Sequence, residues 1–366
     1  SGAPIDMLAA AAEVAKALGD AKSPHVAGWI DTVTPRPAAQ AIAQALAAGK
    51  RAAVLLGNSA MAHPQSAVLR GLAAQIAARS GATLGFLPEA NGAGAWLAGC
   101  VPHRGPNGQA VSAAGRGAAA MLHEPRKAYL VFGAEPELDV LDSARARAAM
   151  ETAEFVAMVT SFKPSPYDSG AVEYADVLLP LATFTETDGS FINAEGRRQS
   201  FAAAVAPLGE ARPGWKILRV LGNRLGLAGF EQTTIDDVRA ELNLTNLAPG
   251  QYALNRAVAA PAPATGGLAR IAEVPIYAVD AVVRRAPSLQ QTSDNPRPAA
   301  RLNATELARQ GLEPGMQIVA RMTHGVARLE VVLDARVPDG CVLIPAGYPA
   351  TAGLDADGSV TLERAS

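Results

Sequence analysis

The stretch that decides the fold is Tyr174-Ala175-Asp176-Val177-Leu178-Leu179-Pro180, which runs on to Thr185-Glu186-Thr187-Asp188-Gly189-Ser190-Phe191-Ile192-Asn193-Ala194-Glu195-Gly196-Arg197-Arg198-Gln199. Val177-Leu178-Leu179 reads as a short strand covered on both faces, the pattern of a parallel sheet between helices. Pro180 has no N–H to give to a ladder, so pairing is expected to end there. Asp188-Gly189 and Glu195-Gly196 are turn signals flanking Phe191-Ile192 and mark a polar connection beyond the strand.

Upstream of this strand, helical periods and short apolar runs alternate. Residues 5–19 are an Ala/Leu-rich helix candidate, and Pro37 opens a helix to about Ala48. A strand at 52–56 follows. Residues 65–79 place Val68, Leu72, Ile76 and Ala77 at helical spacing. Further strands are expected at 83–87, 127–132 and 155–159, with a helix at 139–151. This alternation predicts an α/β domain, Rossmann-like, with a parallel sheet and helices on both faces. Residues 92–120 interrupt the rhythm with scattered glycines and read as a long irregular connection. Residues 213–225 form an amphipathic helix that closes the α/β part.

Downstream, residues 246–275 are rich in Pro and Gly and read as a linker. Short β segments follow at 316–322, 327–333 and 341–345. Gly315, His324-Gly325, Asp339-Gly340 and Asp357-Gly358 are the turns between them. The expected division is an α/β domain over 1–275, linker included, and a small β-barrel domain over 276–366.

The bulk numbers narrow the function. A chain of 366 residues suggests roughly two domains. A formal net charge of −2 and 5 % aromatic residues argue against nucleic acid or an anionic membrane as partner. No apolar run approaches the roughly 20 residues needed to span a bilayer, and no signal peptide is visible. The chain opens Ser1-Gly2 without Met, the expected mark of a processed start or of a piece cut from a longer protein. Cys100 and Cys341 each stand alone, so they cannot supply an iron–sulfur cluster and read as buried small hydrophobes.

The stretch quoted above resembles a signature of the molybdopterin oxidoreductase superfamily. Within it, the chain is most similar to the C-terminal part of the large iron–sulfur subunit of NADH:quinone oxidoreductase (respiratory complex I). Pro207-Leu208-Gly209-Glu210-Ala211-Arg212-Pro213-Gly214-Trp215-Lys216 and Arg284-Arg285-Ala286-Pro287-Ser288-Leu289-Gln290-Gln291-Thr292 carry that likeness further, the second at the entry to the barrel. The terminal segments Arg301-Leu302-Asn303, Gly311-Leu312-Glu313-Pro314-Gly315-Met316 and Val337-Pro338-Asp339-Gly340 resemble the superfamily's dinucleotide-binding double-psi barrel. The resemblance implies domains like those of formate dehydrogenase and DMSO reductase.

It also implies a non-catalytic scaffold, in a complex that passes electrons from NADH through flavin and iron–sulfur clusters to quinone and pumps protons. The [4Fe-4S] and [2Fe-2S] clusters are expected in a preceding N-terminal part, with no molybdopterin and no cofactor in the residues at hand. Expected partners are those N-terminal cluster domains and other subunits of the peripheral arm. The expected setting is the cytoplasmic side of the bacterial inner membrane, with this part soluble, no direct insertion and no nucleic acid. The main rival is the cofactor-cradling part of a molybdenum or tungsten oxidoreductase such as formate dehydrogenase. An autonomous nucleotide-binding module is a second rival, for which no convincing phosphate-cradling glycine loop is found.

Candidate chemistry is sparse. Gly57-Asn58-Ser59-Ala60-Met61 lacks the last glycine of a nucleophile elbow, so Ser59 reads as a helix cap. Gly92-Ala93-Gly94-Ala95-Trp96-Leu97 offers two glycines of the dinucleotide fingerprint without its acidic partner. In Gly133-Ala134-Glu135-Pro136-Glu137-Leu138-Asp139, Glu135 stands where molybdenum relatives carry Asn against the nucleotide. A carboxylate there is expected to repel a phosphate, and otherwise reads as an acidic helix start. His25, His63, His103, His123 and His324 show no metal spacing, and His103-Arg104 is the pair to watch. Arg197-Arg198 and Lys216/Arg219 could bind an anion, pair with Glu186, Glu195 or Glu210, or face a partner. Asp355-Ala356-Asp357-Gly358 is too short for a calcium loop and reads as a hairpin turn. No catalytic, cofactor-binding or metal residue is assigned.

Overall fold

A computed structural model describes residues 4–19, 27–61, 63, 65–140, 142–163, 173–242, 267–295, 297–355 and 358–365. The expected linker therefore lies mostly outside the described residues, as do Asp357 and His25.

At the N-terminal end, the helices Pro4–Ala17, Pro37–Ala48 and Ser66–Ser80 pack together. The last of them packs on β1 (Ala53–Leu56) and β2 (Thr83–Phe86), which pair in parallel. Pro37 starts its helix with a φ already suited to it. The helix Ser66–Ser80 buries Val68, Leu69, Leu72, Ile76 and Ala77 along one stripe and ends at Gly81 in the left-handed region. Leu8, Ile30 and Leu72 are fully buried in this core.

A second unit holds β3 (Ala128–Phe132), β4 (Phe155–Thr160) and β5 (Val177–Pro180), all parallel in the order β3-β4-β5. The helix Ser143–Glu151 buries Ala146, Ala149 and Met150 against Val156 and Met158 of β4. Two expectations are corrected here. The five strands form two separate sheets rather than one. And β5 is not buried on both faces: Val177 and Leu178 are exposed, as are Leu130, Phe132 and Phe155 on the neighbouring strands. Apolar runs mark surfaces that favour burial, but not whether a cover lies within the described residues. Pairing of β5 with β4 does end at Pro180, opposite Thr160.

Beyond β5, β6 (Gly189–Ile192) and β7 (Arg198–Phe201) make an antiparallel hairpin with Gly196 at φ 82° in its turn. Arg239 clamps it, donating from Nη2 to the carbonyls of Gly189 at 2.8 Å and Phe201 at 3.1 Å. The glycine-rich connection at 92–120 is partly regular, with helices Gly92–Leu97 and Ala118–His123. Its start is docked on the hairpin, where Asn91 Oδ1 accepts from the Ile192 N–H at 2.9 Å.

The C-terminal unit is a closed barrel of six strands. These are β8 (Leu268–Ile271), β9 (Ala299–Leu302), β10 (Gln317–Arg321), β11 (Val326–Leu333), β12 (Cys341–Leu343) and β13 (Ser359–Arg364), in the closing order β10-β11-β9-β12-β8-β13. The β11–β9 and β12–β8 pairs are parallel and the others antiparallel. Leu302, Ile318, Val331, Val342 and Ile344 fill its interior. Leu268–Ile271, within the residues read as linker, is a wall strand of the barrel. Four residues are too few to display a period, and the surrounding Pro and Gly conceal them. Arg270 of β8 reaches the inside and donates to the carbonyls of Ile344, Pro345, Leu354 and Asp355. Burial pushes its guanidinium down to about 10, with the Asp355 charge acting the other way. Among the described residues no helix is long and apolar enough to cross a membrane.

Candidate functional site

The carboxyl ends of β3, β4 and β5 gather the groups that could act. Gly133 leaves β3 at φ 64°, a conformation that favours glycine, and turns the chain into the short helix Pro136–Asp139. Glu135 occupies the cap position. Its carbonyl accepts from the N–H groups of Leu138 and Asp139 at 2.8 Å each, and its own N–H donates to Asp139 Oδ2 at 2.7 Å.

The Glu135 side chain turns away from that helix toward the entry of the barrel. Arg284 donates to Oε2 from Nη2 at 2.7 Å and from Nε at 3.1 Å. Arg285 donates to Oε1 from Nη2 at 2.5 Å and to Oε2 from Nη1 at 3.1 Å. Arg284 also binds Asp139 Oδ1 at 2.8 Å and the Ala278 carbonyl at 2.8 Å. The Arg285 guanidinium lies 4.7 Å above the Phe162 ring. Two cations thus meet two carboxylates and the cluster is neutral. Burial alone would raise the Glu135 pKa, but the bonds and charges of Arg285 and Arg284 outweigh it and hold the carboxyl below its usual value.

This geometry corrects both readings of Glu135. Its charge is compensated by direct contact, so it does not present a bare carboxylate to a phosphate. Nor does the carboxylate serve the helix N-terminus, since it is spent on the arginines. Nearby, Glu137 and Tyr174 are buried, and neither the Glu137 oxygens nor the Tyr174 hydroxyl has a well-formed hydrogen bond among the described residues. Burial pushes both groups up; the adjacent phenol moderates the shift at Glu137, whereas the Glu137 charge adds to that at Tyr174.

The end of β5 carries a second feature. Leu181 bridges to Arg212, whose N–H donates to the Pro180 carbonyl at 3.1 Å. This tether brings the helix Gly214–Arg224 to the sheet edge. A Cβ on Gly214 would lie 2.5 Å from Phe132 Cζ, so any larger residue at the start of the helix would have to displace that ring. Between β5 and this helix lies a cavity of ≈ 670 Å³. Arg212, Lys216, Arg219 and Arg224 line it against a single carboxylate, Glu210, and Trp215 forms part of the wall. Lys216 Nζ stands 5.3 Å from the Trp215 ring centroid.

The remaining candidates are dispersed. Ser59 lies within the helix Asn58–Met61 rather than capping it; Gly57 supplies the cap carbonyl. His103 packs edge-on against Trp96 at 5.1 Å. His324 Nδ1 is 2.9 Å from Asp355 Oδ1. Among the described residues, no group of three or more His, Cys, Asp or Glu is placed to hold a metal. Cys341 is buried as expected, whereas Cys100 is exposed. Arg197 and Arg198 sit on the hairpin, away from the cavity. Within the described residues, neither they nor Lys216 and Arg219 pair with Glu186, Glu195 or Glu210. Glu186 is instead occupied by the N–H groups of Thr183 at 2.9 Å and Leu208 at 3.1 Å. Sequence reasoning missed Arg212, Arg224 and the roles of Arg284 and Arg285. The spacing of Arg212, Lys216 and Arg219 at four and three residues could have flagged one cationic face.

Comparison with known proteins gives the wider setting. A family model described as molybdopterin oxidoreductase matches residues 15–224, more than half of the chain. A Staphylococcus aureus protein provisionally named formate dehydrogenase is 39 % identical over 80 residues, which cover 22 % of this chain and 8 % of that protein. The alpha chain of an NADPH-Fe(3+) oxidoreductase from Geobacter sulfurreducens is 27 % identical over 266 residues, 65 % of this chain and 30 % of that one. The structure of acetylene hydratase from Pelobacter acetylenicus shares the fold, with a TM-score of 0.53 at 16 % identity over 72 % of this chain and 48 % of that chain. In each case the matched part is less than half of the relative's length. The match to a family described by molybdopterin overturns the expectation that no molybdopterin belongs here.

Proposed function

The chain belongs to the molybdopterin oxidoreductase family, and on that premise we propose that it is the cofactor-cradling part of a molybdenum or tungsten pterin oxidoreductase such as a formate dehydrogenase. The observation that carries this reading is the locked carboxylate of Glu135. Open α/β sheets take ligands at the carboxyl ends of their strands. At the end of β3, the acid that would oppose a phosphate there is neutralised by Arg284 and Arg285. What remains at the strand ends are the small residues Gly133 and Ala134 after β3 and Ser161 after β4, which fit a close approach by the cofactor's nucleotide arm. When bound, the metal–pterin group supplies the redox chemistry. The residues of this chain hold and orient it, and the Glu135 cluster fixes the barrel against the sheet edge.

The parallel β3-β4-β5 unit supports a Rossmann-like description, and the mixed pairing of the six-stranded barrel supports a double-psi one. The domain division we propose ends the α/β part before β8.

A second reading is favoured by one observation. The NADPH-Fe(3+) oxidoreductase alpha chain aligns with 65 % of this chain, far more than the 22 % matched by the formate dehydrogenase-like protein. On that reading the chain belongs to an NAD(P)H-linked electron-transfer protein such as the large iron–sulfur subunit of complex I. Its partners would then be iron–sulfur domains of the same polypeptide and other peripheral-arm subunits at the inner membrane.

The test is metal and pterin analysis of the natively purified full-length protein. Molybdenum or tungsten in stoichiometric amount with a pterin dinucleotide is expected. Iron with neither metal and no pterin would sink the cradle reading.

A further inference from the structure

We infer that Asn107-Gly108 is a site of covalent modification, where the Asn107 amide is lost spontaneously to leave aspartate and isoaspartate. The chain holds two Asn-Gly pairs, Asn91-Gly92 and Asn107-Gly108. Glycine after asparagine favours this chemistry, because no Cβ hinders its nitrogen as it approaches the side-chain carbonyl. Both asparagines adopt the left-handed conformation, at φ 61° and 57°. Their backbone conformation therefore does not separate them, but their surroundings do.

Asn91 is held on all sides. Its Oδ1 accepts from the Ile192 N–H at 2.9 Å. The same side chain lies against Gly94, where any Cβ would run into Oδ1. The Gly92 N–H donates to the Glu89 carbonyl at 3.0 Å, and the Asn91 carbonyl accepts from the Ala95 N–H at 3.0 Å as the helix Gly92–Leu97 begins. Pro88 closes over Gly92, 2.9 Å from where a Cβ would stand. Ring closure at Asn91 would have to undock the hairpin and break the first turn of the helix.

Asn107 lacks these holds. Among the described residues its Oδ1 has no hydrogen-bond partner. Gly108 is exposed, with nothing within 4 Å of where a Cβ would stand. The Gly108 N–H donates to the Gly105 carbonyl at 3.1 Å, and the Gln109 N–H that follows reaches the Pro106 carbonyl at only 3.3 Å. An exposed turn with so few bonds opens locally at small cost.

Once the turn opens and the Asn107 ψ leaves 25°, the Gly108 nitrogen gives its proton to solvent base and attacks Asn107 Cγ. The N–Cγ bond forms, the Cγ–Nδ2 bond breaks, and Nδ2 takes a proton from water and leaves as ammonia. Water then opens the cyclic imide. Cleavage at Cγ gives aspartate, and cleavage at the backbone carbonyl gives isoaspartate, whose main chain runs through the side chain and is longer by a carbon. No oxidant, reductant or cofactor is consumed. Either product adds a negative charge to the turn. The lengthened form must also lift off Gly99, where even a Cβ would stand 2.7 Å from the Gly105 carbonyl carbon and the Pro106 nitrogen.

The test is peptide mapping by mass spectrometry after incubation of the full chain in mildly alkaline buffer, native and in urea. In urea, which removes the surroundings, both Asn-Gly pairs are expected to convert at comparable rates. In the native protein the Asn107 peptide is expected to gain the amide-to-acid mass change and to accept methyl groups from an isoaspartate methyltransferase, with Asn91 converting severalfold more slowly. Gly108→Ala is expected to slow conversion at Asn107 severalfold, with circular dichroism to confirm its fold. The proposal is overturned if native Asn107 stays intact while the urea sample converts. It is equally overturned if native Asn91 converts as fast as Asn107, or if folded Gly108→Ala converts at the wild-type rate.

Discussion

Glu135 and Arg285 stand 150 positions apart in the chain and meet in a two-point ion pair, with Nη2 2.5 Å from Oε1 and Nη1 3.1 Å from Oε2. The pair ties the end of a sheet strand to the entry of the barrel. A second tie is the hydrogen bond from the Ser143 hydroxyl to the Ala352 carbonyl. Because Glu135 is buried and Arg284 and Arg285 nearly so, the tie holds only while each charge keeps its partner.

Glu135→Gln is expected to cost about 3–5 kcal/mol of stability at pH 7, because it leaves the arginines of a buried cluster short of one charge. The direction of pH dependence follows from the lowered pKa of Glu135. Its contribution is fully present above about pH 4.5, the ordinary value, and is lost as pH falls through the lower folded value. Urea unfolding of wild type and variant between pH 3 and 7 checks both points. A constant difference across that range would refute the assigned sign.

Glu137 behaves in the opposite sense. With its pKa raised by burial, it favours the fold below about pH 4.5 and withdraws that support as pH rises through the folded value. Glu137→Gln should therefore flatten the decline of melting temperature above pH 4.5. Tyr174→Phe should cost less than about 1 kcal/mol, since the hydroxyl it removes has no well-formed partner among the described residues. A loss of several kcal/mol would show a strong bond to Glu137.

Arg270→Met should destabilise the barrel by at least about 3 kcal/mol, because four carbonyl groups lose their donor inside a closed wall. Arg270→Lys should not restore this, since one ammonium cannot reproduce the planar fork. Chemical denaturation of both variants, followed at a barrel residue by NMR, gives the comparison. Full stability of the lysine variant would contradict the role assigned to the fork.

Gly325→Ala places a Cβ 1.5 Å from the Gly353 carbonyl oxygen, where backbone rather than a flexible side chain blocks it. The turn between β10 and β11 must shift, at a cost of about 1–3 kcal/mol. Hydrogen exchange should report the loss at the Met322 N–H, which donates to the Gly325 carbonyl at 2.8 Å. Unchanged protection there would mean the turn yields freely.

Most elements were legible from local pattern. The helix Ser66–Ser80 buries every residue its spacing singled out, and the strands at 128–132, 155–160 and 177–180 lie where apolar runs bounded by turns placed them. Pro180 ends its pairing because it lacks a donor. Short barrel strands such as Leu268–Ile271 and Ala299–Leu302 were not legible, since four residues carry no period. The site was legible only in part. Lys216 and Arg219 read as cations that could bind an anion, pair with an acid or face a partner, and nothing in their spacing told which.

The sequence by itself determined the alternation of helices and strands, the β-rich C-terminal end, and the likeness to the molybdopterin oxidoreductases. These depend on neighbours within a few residues, where propensity and hydrophobic period act. Tertiary structure alone decided that the five strands split into two sheets, and that Glu135 is neutralised rather than repelling. It also decided that Arg212, Lys216, Arg219 and Arg224 line one cavity. Charge compensation depends on distance in space, and Glu135 finds its partners 149 and 150 residues further along the chain. No local reading of Gly133–Asp139 could have supplied them.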